Sequence, residues 1–586
     1  MGHHASDPNK IVNVTIDGIT VACPETTLIL DAAKMVGIDI PVLCYHPDLK
    51  VRATCRVCVV EVKGQRKLKP ACGTEVWDGA EIITNSPAVR QAREDVLELI
   101  LAEHPQDCLN CVRNTSCELQ KLARDFGISK PLFKNESKQL PIEDSDGAIV
   151  RDMSKCVKCG RCVEMCQEVQ NVGAINTAHR SGEYEITTAF NRPLQDTTCV
   201  YCGQCVSVCP VGALYEKDDT EKVWQAIGNE DQHVVVQVAP AVRVALGEEF
   251  GMDPGSITTG KMVAALRRLG FDKVFDTDFS ADVTIMEEGS ELLERMSQGG
   301  TLPLITSCSP GWVNFVEGFY PELLPNVSTC KSPQQMFGAL VKTYYPQKAG
   351  IDASKIVSVS IMPCVAKKRE SARPEMNDSG YRDVDIVLTT RELARMIKQS
   401  GFDFNKLANE EFDNPMGMST GAAVIFGTSG GVMEAALRTV YEVVTGKELA
   451  NVDFKDIRGL TGVKEAEVDL DGKKVKVAIA NGLKNARVIL DKIKAGECDY
   501  QFVEIMCCPG GCIGGGGQPW GTTTVTKEAR MAGLYQVDSD KAIRQSHKNP
   551  AVKALYDEFL GKPLSRKSHK LLHTHYYPRN KNSMFS

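Results

Sequence analysis

The sequence predicts a multidomain chain in which small, cysteine-rich α+β units precede a larger α/β domain. Three observations lead there. At 586 residues the chain is too long for one core. Its 23 cysteines are bunched in C-x-x-C patterns, mostly ahead of residue 218. Beyond residue 232, the runs HVVVQVAPAV, DVTIM, TLPLIT, IVSVSIM and VDIVLTT alternate with helical patterns. Short continuous apolar runs of that kind read as strands buried on both faces of a sheet.

Composition narrows the class. Apolar residues make up 43% and charged residues 24%, an ordinary globular balance. The net charge of −7 argues against nucleic acid as a partner, since phosphate binding wants a basic face. No run approaches the roughly 18 apolar residues of a membrane-spanning helix, so no membrane partner is expected. Residues 1–10 open with Met1-Gly2-His3-His4, lack an apolar signal region and read as a tag or disordered segment. Clustered thiols in a large chain without a secretory signal point to metal binding in a reducing, cytoplasmic compartment.

The elements follow in order. Residues 11–22 alternate apolar and polar around Asp17-Gly18, a hairpin pattern, and Thr27 to Val36 is helical. This α+β unit spans 11–87 and carries Cys44, Cys55, Cys58 and Cys72. An early cysteine, a C-x-x-C pair and a distant cysteine suit a [2Fe–2S] cluster of the plant-ferredoxin kind, although ten residues separate Cys44 from Cys55; zinc is the rival. Cys23 fits no set. Residues 88–127 hold two helical patterns around His104, Cys108, Cys111 and Cys117, spaced H-x3-C-x2-C-x5-C. Alone, that set suits zinc or a cubane; beside iron–sulfur sets it reads as a [4Fe–4S] site. A polar linker, 128–147, follows.

Residues 148–217 contain an internal repeat. Cys156, Cys159, Cys162 and Cys166 have the spacing C-x2-C-x2-C-x3-C, and Cys199, Cys202, Cys205 and Cys209 repeat it 43 residues later. In two-cluster ferredoxin-like domains the fourth cysteine of each run ligates the other cluster. The expected sets are therefore Cys156, Cys159 and Cys162 with Cys209, and Cys199, Cys202 and Cys205 with Cys166. A domain over 232–540 then carries three cysteine segments: Thr306 to Trp312, Met362 to Glu370, and Glu504 to Gly517. The last has Cys508 and Cys512 around a Gly-Gly turn, then four more glycines, which lets backbone approach a bulky ligand closely. Residues 546–586 form a polar, helical extension.

The order of these modules resembles the large [FeFe]-hydrogenases, whose three segments are written TSCCPGW, MPCxxKxxE and ExMxCxxGCxxG. Met362, Cys364, Lys367 and Glu370 match the second; Glu504, Met506, Cys508, Gly511, Cys512 and Gly515 match the third. The resemblance implies reversible conversion of protons and electrons to H2 at an H-cluster, a cubane joined through a cysteine to a diiron centre bearing CO, cyanide and a dithiolate bridge. It implies Cys512 as the bridging thiolate, Cys364 and Cys508 as further cubane ligands, Lys367 as donor to a cyanide, and Met362 and Met506 as packing. A proton path is implied through Cys308, Glu288, Ser328, Glu291 and Arg295. One [2Fe–2S] and three accessory [4Fe–4S] clusters would relay electrons.

The first segment departs from the family, because its second cysteine is Ser309. Ligation by Ser309 through oxygen, substitution by Cys330 or Cys507, and an iron without protein thiolate all remain open. A hydrogen sensor with little turnover is the alternative function. The module order is similar to the hydrogenase subunit of NAD(P)-linked complexes, and the chain lacks its own G-x-G-x-x-G dinucleotide motif in a strand–helix context. Electrons are therefore expected from ferredoxin or from flavin and NAD(P)-binding partner subunits in a homo- or hetero-oligomer.

Overall fold

An Asp-Gly pair sets the first structural feature. Asp17 and Gly18 both have positive φ and join strands β1 (Ile11–Ile16) and β2 (Ile19–Pro24) in an antiparallel hairpin. The computed structural model describes residues 7–129, 132–134, 136–145, 147–449, 451–470 and 472–579, so residues 1–6 of the expected tag lie outside it. Strands β3 (Val59–Val62), β4 (Lys69–Pro70) and β5 (Glu81–Ile83) complete a sheet in the order β2-β1-β5-β3-β4. The helix Ile29–Met35 covers it, and Cys72 follows β4. Ser86 then caps the helix Pro87–Ala102, with Pro87 in its first turn where a missing N–H costs nothing.

The repeat region is held by two small antiparallel pairs. These are β6 (Ile149–Arg151) with β9 (Leu214–Glu216), and β7 (Asn176–Ala178) with β8 (Glu185–Thr187). The first pair ties the two ends of the repeat together.

Among the described residues the C-terminal half contains eight strands: β10 (His233–Val238), β11 (Lys273–Asp276), β12 (Leu304–Ile305), β13 (Ile356–Met362), β14 (Ile386–Thr389), β15 (Val463–Leu470), β16 (Lys473–Asn481) and β17 (Phe502–Met506). They form two sheets, β11-β10-β13-β14, all parallel, and β12-β17-β16-β15, with only β15 antiparallel. The three cysteine segments leave the carboxyl ends of β12, β13 and β17, where open parallel sheets place their ligands.

One expected strand is a helix. DVTIM, residues 282–286, lies inside the 22-residue helix Thr277–Gln298. Its first nine residues are all buried, so no polar stripe marks the helical period, and a short apolar run then looks the same as a buried strand. The C-terminal extension crosses this helix: His573 bridges to Cys330 and the Leu564 amide donates to Glu287.

Trp520 clamps the N-terminal modules to the α/β domain. The Arg113 guanidinium lies 3.7 Å from its ring centroid and that of Arg391 lies 3.9 Å away. Arg391 also binds Glu216 at the end of β9, at 2.6 and 3.0 Å. Trp520→Ala removes both cation–π contacts and is expected to cost about 2 kcal/mol. Thermal unfolding should show the loss, and limited proteolysis should show faster cutting within residues 88–127; an unchanged cleavage pattern would count against the clamp.

Candidate catalytic centre and its sulfur-lined cradles

Five groups of cysteines are brought together. Cys44, Cys55, Cys58 and Cys72 converge, with Cys58 and Cys72 sulfurs 3.3 Å apart and the Cys55 amide donating to Cys44 at 3.5 Å. His104, Cys108, Cys111 and Cys117 line one small cavity. Cys156, Cys159 and Cys162 line another with Cys209, and Cys199, Cys202 and Cys205 line a third with Cys166. The crossed sets expected from the repeat are thus the sets that share a cavity. Backbone shape repeats as well. Lys158 and Tyr201 have positive φ and their amides donate to the Cys156 and Cys199 sulfurs, each at 3.4 Å. Thiolate donors around enclosed hollows, with amides aimed at sulfur, fit iron–sulfur clusters.

The cradles touch one another. Arg52, from the first module, donates to the Gly160 carbonyl and pairs with Glu164. Arg113 donates to the Cys209 carbonyl at 3.0 Å, and the Glu118 amide to Pro210. The cradle of Cys156 and Cys209 therefore abuts both modules that precede it. At the far side, a Cβ on Gly516 would fall 2.6 Å from the Gly203 carbonyl carbon, so the glycine run lets the third segment press against the last cradle.

The fifth group is Cys364, Cys508 and Cys512, close enough to influence one another's ionisation. Gly511 has φ +91°, and a Cβ there would meet the Thr428–Ser429 backbone at 2.8 Å; a Cβ at Gly515 would meet the Pro363 oxygen at 2.2 Å. Only glycine allows this fold of the third segment around the second. Met362 and Met506 end β13 and β17 and are buried. Lys367 donates to the Cys308 carbonyl at 3.1 Å and to Glu370 at 2.9 Å, and Glu370 also accepts from Ser332 and Gln334. This fixes one ammonium at the centre. Glu504 accepts from the Gly430 and Met433 amides at the start of the helix Gly431–Thr445; burial raises its pKa, and these amides offset part of that rise. Glu370 and Glu504 received no role from sequence reasoning, although both are fixed letters of the matched segments.

From Cys308 a row of proton-bearing groups leads outward. Glu288 hydrogen-bonds to Ser328 and the Ser307 amide; Ser328 donates to Glu291 at 2.9 Å; Arg295 donates to Glu291 at 2.6 Å and is partly exposed. Burial, then Glu288, pushes the Cys308 thiol well up, so it rests protonated. Burial pushes Glu288 up to about 8. Cys330, one of the candidates left open for the fourth ligand, has its thiol facing Glu291 at 3.8 Å, beside the proton row. Ser309 accepts from the Cys507 amide at 3.2 Å.

A centre of clustered thiolates, an ammonium and a buried proton row defines an iron–sulfur oxidoreductase that handles protons, and the chain belongs to the iron-only, or [FeFe], hydrogenase family. A family profile for the C-terminal domain of the iron-only hydrogenase large subunit matches residues 232–516, and one for the iron hydrogenase small subunit matches 525–579. Profiles for a 2Fe-2S cluster binding domain (9–87), the NADH-ubiquinone oxidoreductase-G iron–sulfur binding region (93–131) and the ferredoxin-like domain of NADH-quinone oxidoreductase subunit 3 (147–215) match segments ahead of them. The NADP-reducing hydrogenase subunit HndD of Solidesulfovibrio fructosivorans is 52% identical over 98% of this chain and 100% of its own. Iron hydrogenase 1 of Clostridium pasteurianum is 41% identical over 96% and 99%. A solved structure of apo [FeFe]-hydrogenase HydA1 from Chlamydomonas reinhardtii, 45% identical, covers 62% of this chain and 99% of its own, with a TM-score of 0.56. The chain is therefore an oxidoreductase acting on hydrogen, with iron–sulfur domains of both the 2Fe-2S and 4Fe-4S kinds ahead of an H-cluster domain. No described helix is long and apolar enough to cross a membrane.

Glu288 gives a stability test. Its acid is neutral at pH 7 when folded and ionised when unfolded, because burial raises its pKa from 4.5 to about 8. Its contribution is full below the unfolded value and is lost as pH rises through the folded one. Glu288→Gln should flatten the fall in denaturant-measured stability between about pH 5 and 8; parallel pH profiles for variant and parent would contradict the assignment.

Proposed function

We propose that this chain is the hydrogen-converting subunit of an NAD(P)-linked complex. Relay modules at 11–87, 88–127 and 148–217 would feed a catalytic domain at 232–540, with 546–586 as the small-subunit-like extension. The observation that carries the reading is the hydrogen-bonded row from Glu288 through Ser328 and Glu291 to Arg295, with Cys308 near its inner end, built beside the three-cysteine centre. A pure electron relay has no use for such a row. A hydrogen sensor with little turnover is not favoured, since the shuttle thiol and every group behind it are present.

When bound, the H-cluster supplies the iron at which two protons and two electrons become H2. The chain's part is to hold it and to move protons. Cys364, Cys508 and Cys512 bind it, and Lys367, anchored by Glu370, offers its ammonium to an anionic ligand. Met362 and Met506 exclude water. Cys308 keeps a proton at the buried end; Glu288, neutral near pH 7, passes one through Ser328 to the buried Glu291; the partly exposed Arg295 holds the Glu291 carboxylate in place. Accessory ligands would be Cys44, Cys55, Cys58 and Cys72 for one [2Fe–2S] cluster. His104 with Cys108, Cys111 and Cys117 would hold one cubane, and the two crossed sets would hold two more. Full-length similarity to an NADP-reducing hydrogenase subunit supports flavin and NAD(P)-binding partner subunits, in the cytoplasm, or ferredoxin as the electron source.

Two measurements test this. Fully matured protein should contain about 20 iron atoms per chain and evolve hydrogen from reduced methyl viologen. Inactive protein that nevertheless shows the infrared bands of CO and cyanide would sink the catalytic reading. Cys308→Ala and Glu291→Gln should each lower turnover by about 10² or more while leaving iron content and those bands intact; near-parental rates would remove the path from the mechanism.

A further inference from the structure

Ser309 stands where the family places a cubane-ligating cysteine, and the neighbouring strand supplies a thiol at the same level. Strands β12 and β17 are parallel neighbours, with Leu304 opposite Phe502 and Ile305 opposite Val503. That register, carried forward, sets Ser309 opposite Cys507, and the Cys507 amide indeed donates to the Ser309 hydroxyl at 3.2 Å. The thiol turns toward the helix that Ser309 opens: a Cβ on Gly311 would fall 2.6 Å from the Cys507 sulfur. Cys507 is 3% exposed, and its sulfur is within hydrogen-bonding reach of Cys202, in the last accessory cradle, and of Cys508, so it lies between that cradle and the three-cysteine centre. The other unassigned thiols are elsewhere. Cys23 is in the core of the first module, Cys330 faces Glu291, and Cys498 lies near Lys492 and Glu465.

We propose that Cys507 supplies the thiolate that Ser309 does not, completing a four-cysteine cradle with Cys364, Cys508 and Cys512 for the catalytic cubane. The inference rests on the hydrogenase reading above. Thiolate is the softer donor and binds iron in preference to a serine hydroxyl, which is moreover engaged by the Cys507 amide. Ligation exchanges the Cys507 S–H proton, released to solvent, for an iron–sulfur bond and involves no change of oxidation state. The cysteine has moved one strand sideways without leaving its level in the sheet. Cys330 is thereby freed from the ligand role that sequence reasoning kept open for it.

The test uses the full chain made without diiron maturation, with its cubanes reconstituted, so that the readout is the cluster itself. Wild type should hold about 18 iron atoms, one [2Fe–2S] cluster plus four cubanes. Cys507→Ala should lose between about one and four of them, with a three-iron or absent catalytic cubane in Mössbauer and EPR spectra while the accessory signals persist. Adding Ser309→Cys to that variant should restore the missing iron. Ser309→Ala alone should keep the cubane. Retention of the full count and an unchanged cubane spectrum in Cys507→Ala would overturn the proposal, and so would loss of the cubane in Ser309→Ala. If Cys507→Ala also loses accessory signals, Cys507→Ser decides: an altered cubane spectrum supports ligation and an unaltered one refutes it. Matured wild type that makes no hydrogen, beside a Cys507→Ala variant that still loses the cubane, would fail the function and spare the ligand.

Discussion

Everything at the centre depends on keeping carboxylates in a dry interior. The helix Thr277–Gln298 carries Glu287, Glu288 and Glu291, all buried, within five residues. Three unpartnered charges there would be prohibitive, and each has a different solution. Glu287 is held by Tyr556, Ser568, His573 and the Leu564 amide, all from the C-terminal extension. Glu291 is paired with Arg295. Glu288 meets no cation among the described residues and stays protonated. The last solution leaves a neutral buried acid, the form in which a carboxyl can give up a proton.

The same economy explains the sulfur centre. Donor groups come from the ends of β12, β13 and β17, so three segments distant in sequence are fixed by two sheets rather than by loops of their own. Glycine at 511 and 515 brings them into contact where any side chain would hold them apart. Glu370 and Glu504 then lock Lys367 and the third segment in position.

Much of this was legible in the sequence because thiolate spacing is a chemical code. The crossed sets of the repeat follow from it directly, and the two sets ahead of them follow in membership, while the fifth group came from the family resemblance. The matched segments named the centre, while Glu370 and Glu504 stayed silent because a capped or ion-paired carboxylate looks like any other in one dimension. DVTIM was misread because a helix buried on every side loses its period. The Ser309–Cys507 pairing needed the register of β12 against β17, a relation between residues 198 apart that no local pattern encodes.

The contacts around the Cys156 and Cys209 cradle have a further consequence. Both N-terminal modules press on it, one through Arg52 and the other through Arg113 and Glu118, whereas a single cradle leads on to the third segment. The contacts form a fork, two modules converging on one cradle, so a change at the Cys156 and Cys209 cradle would disturb the seating of both modules at once.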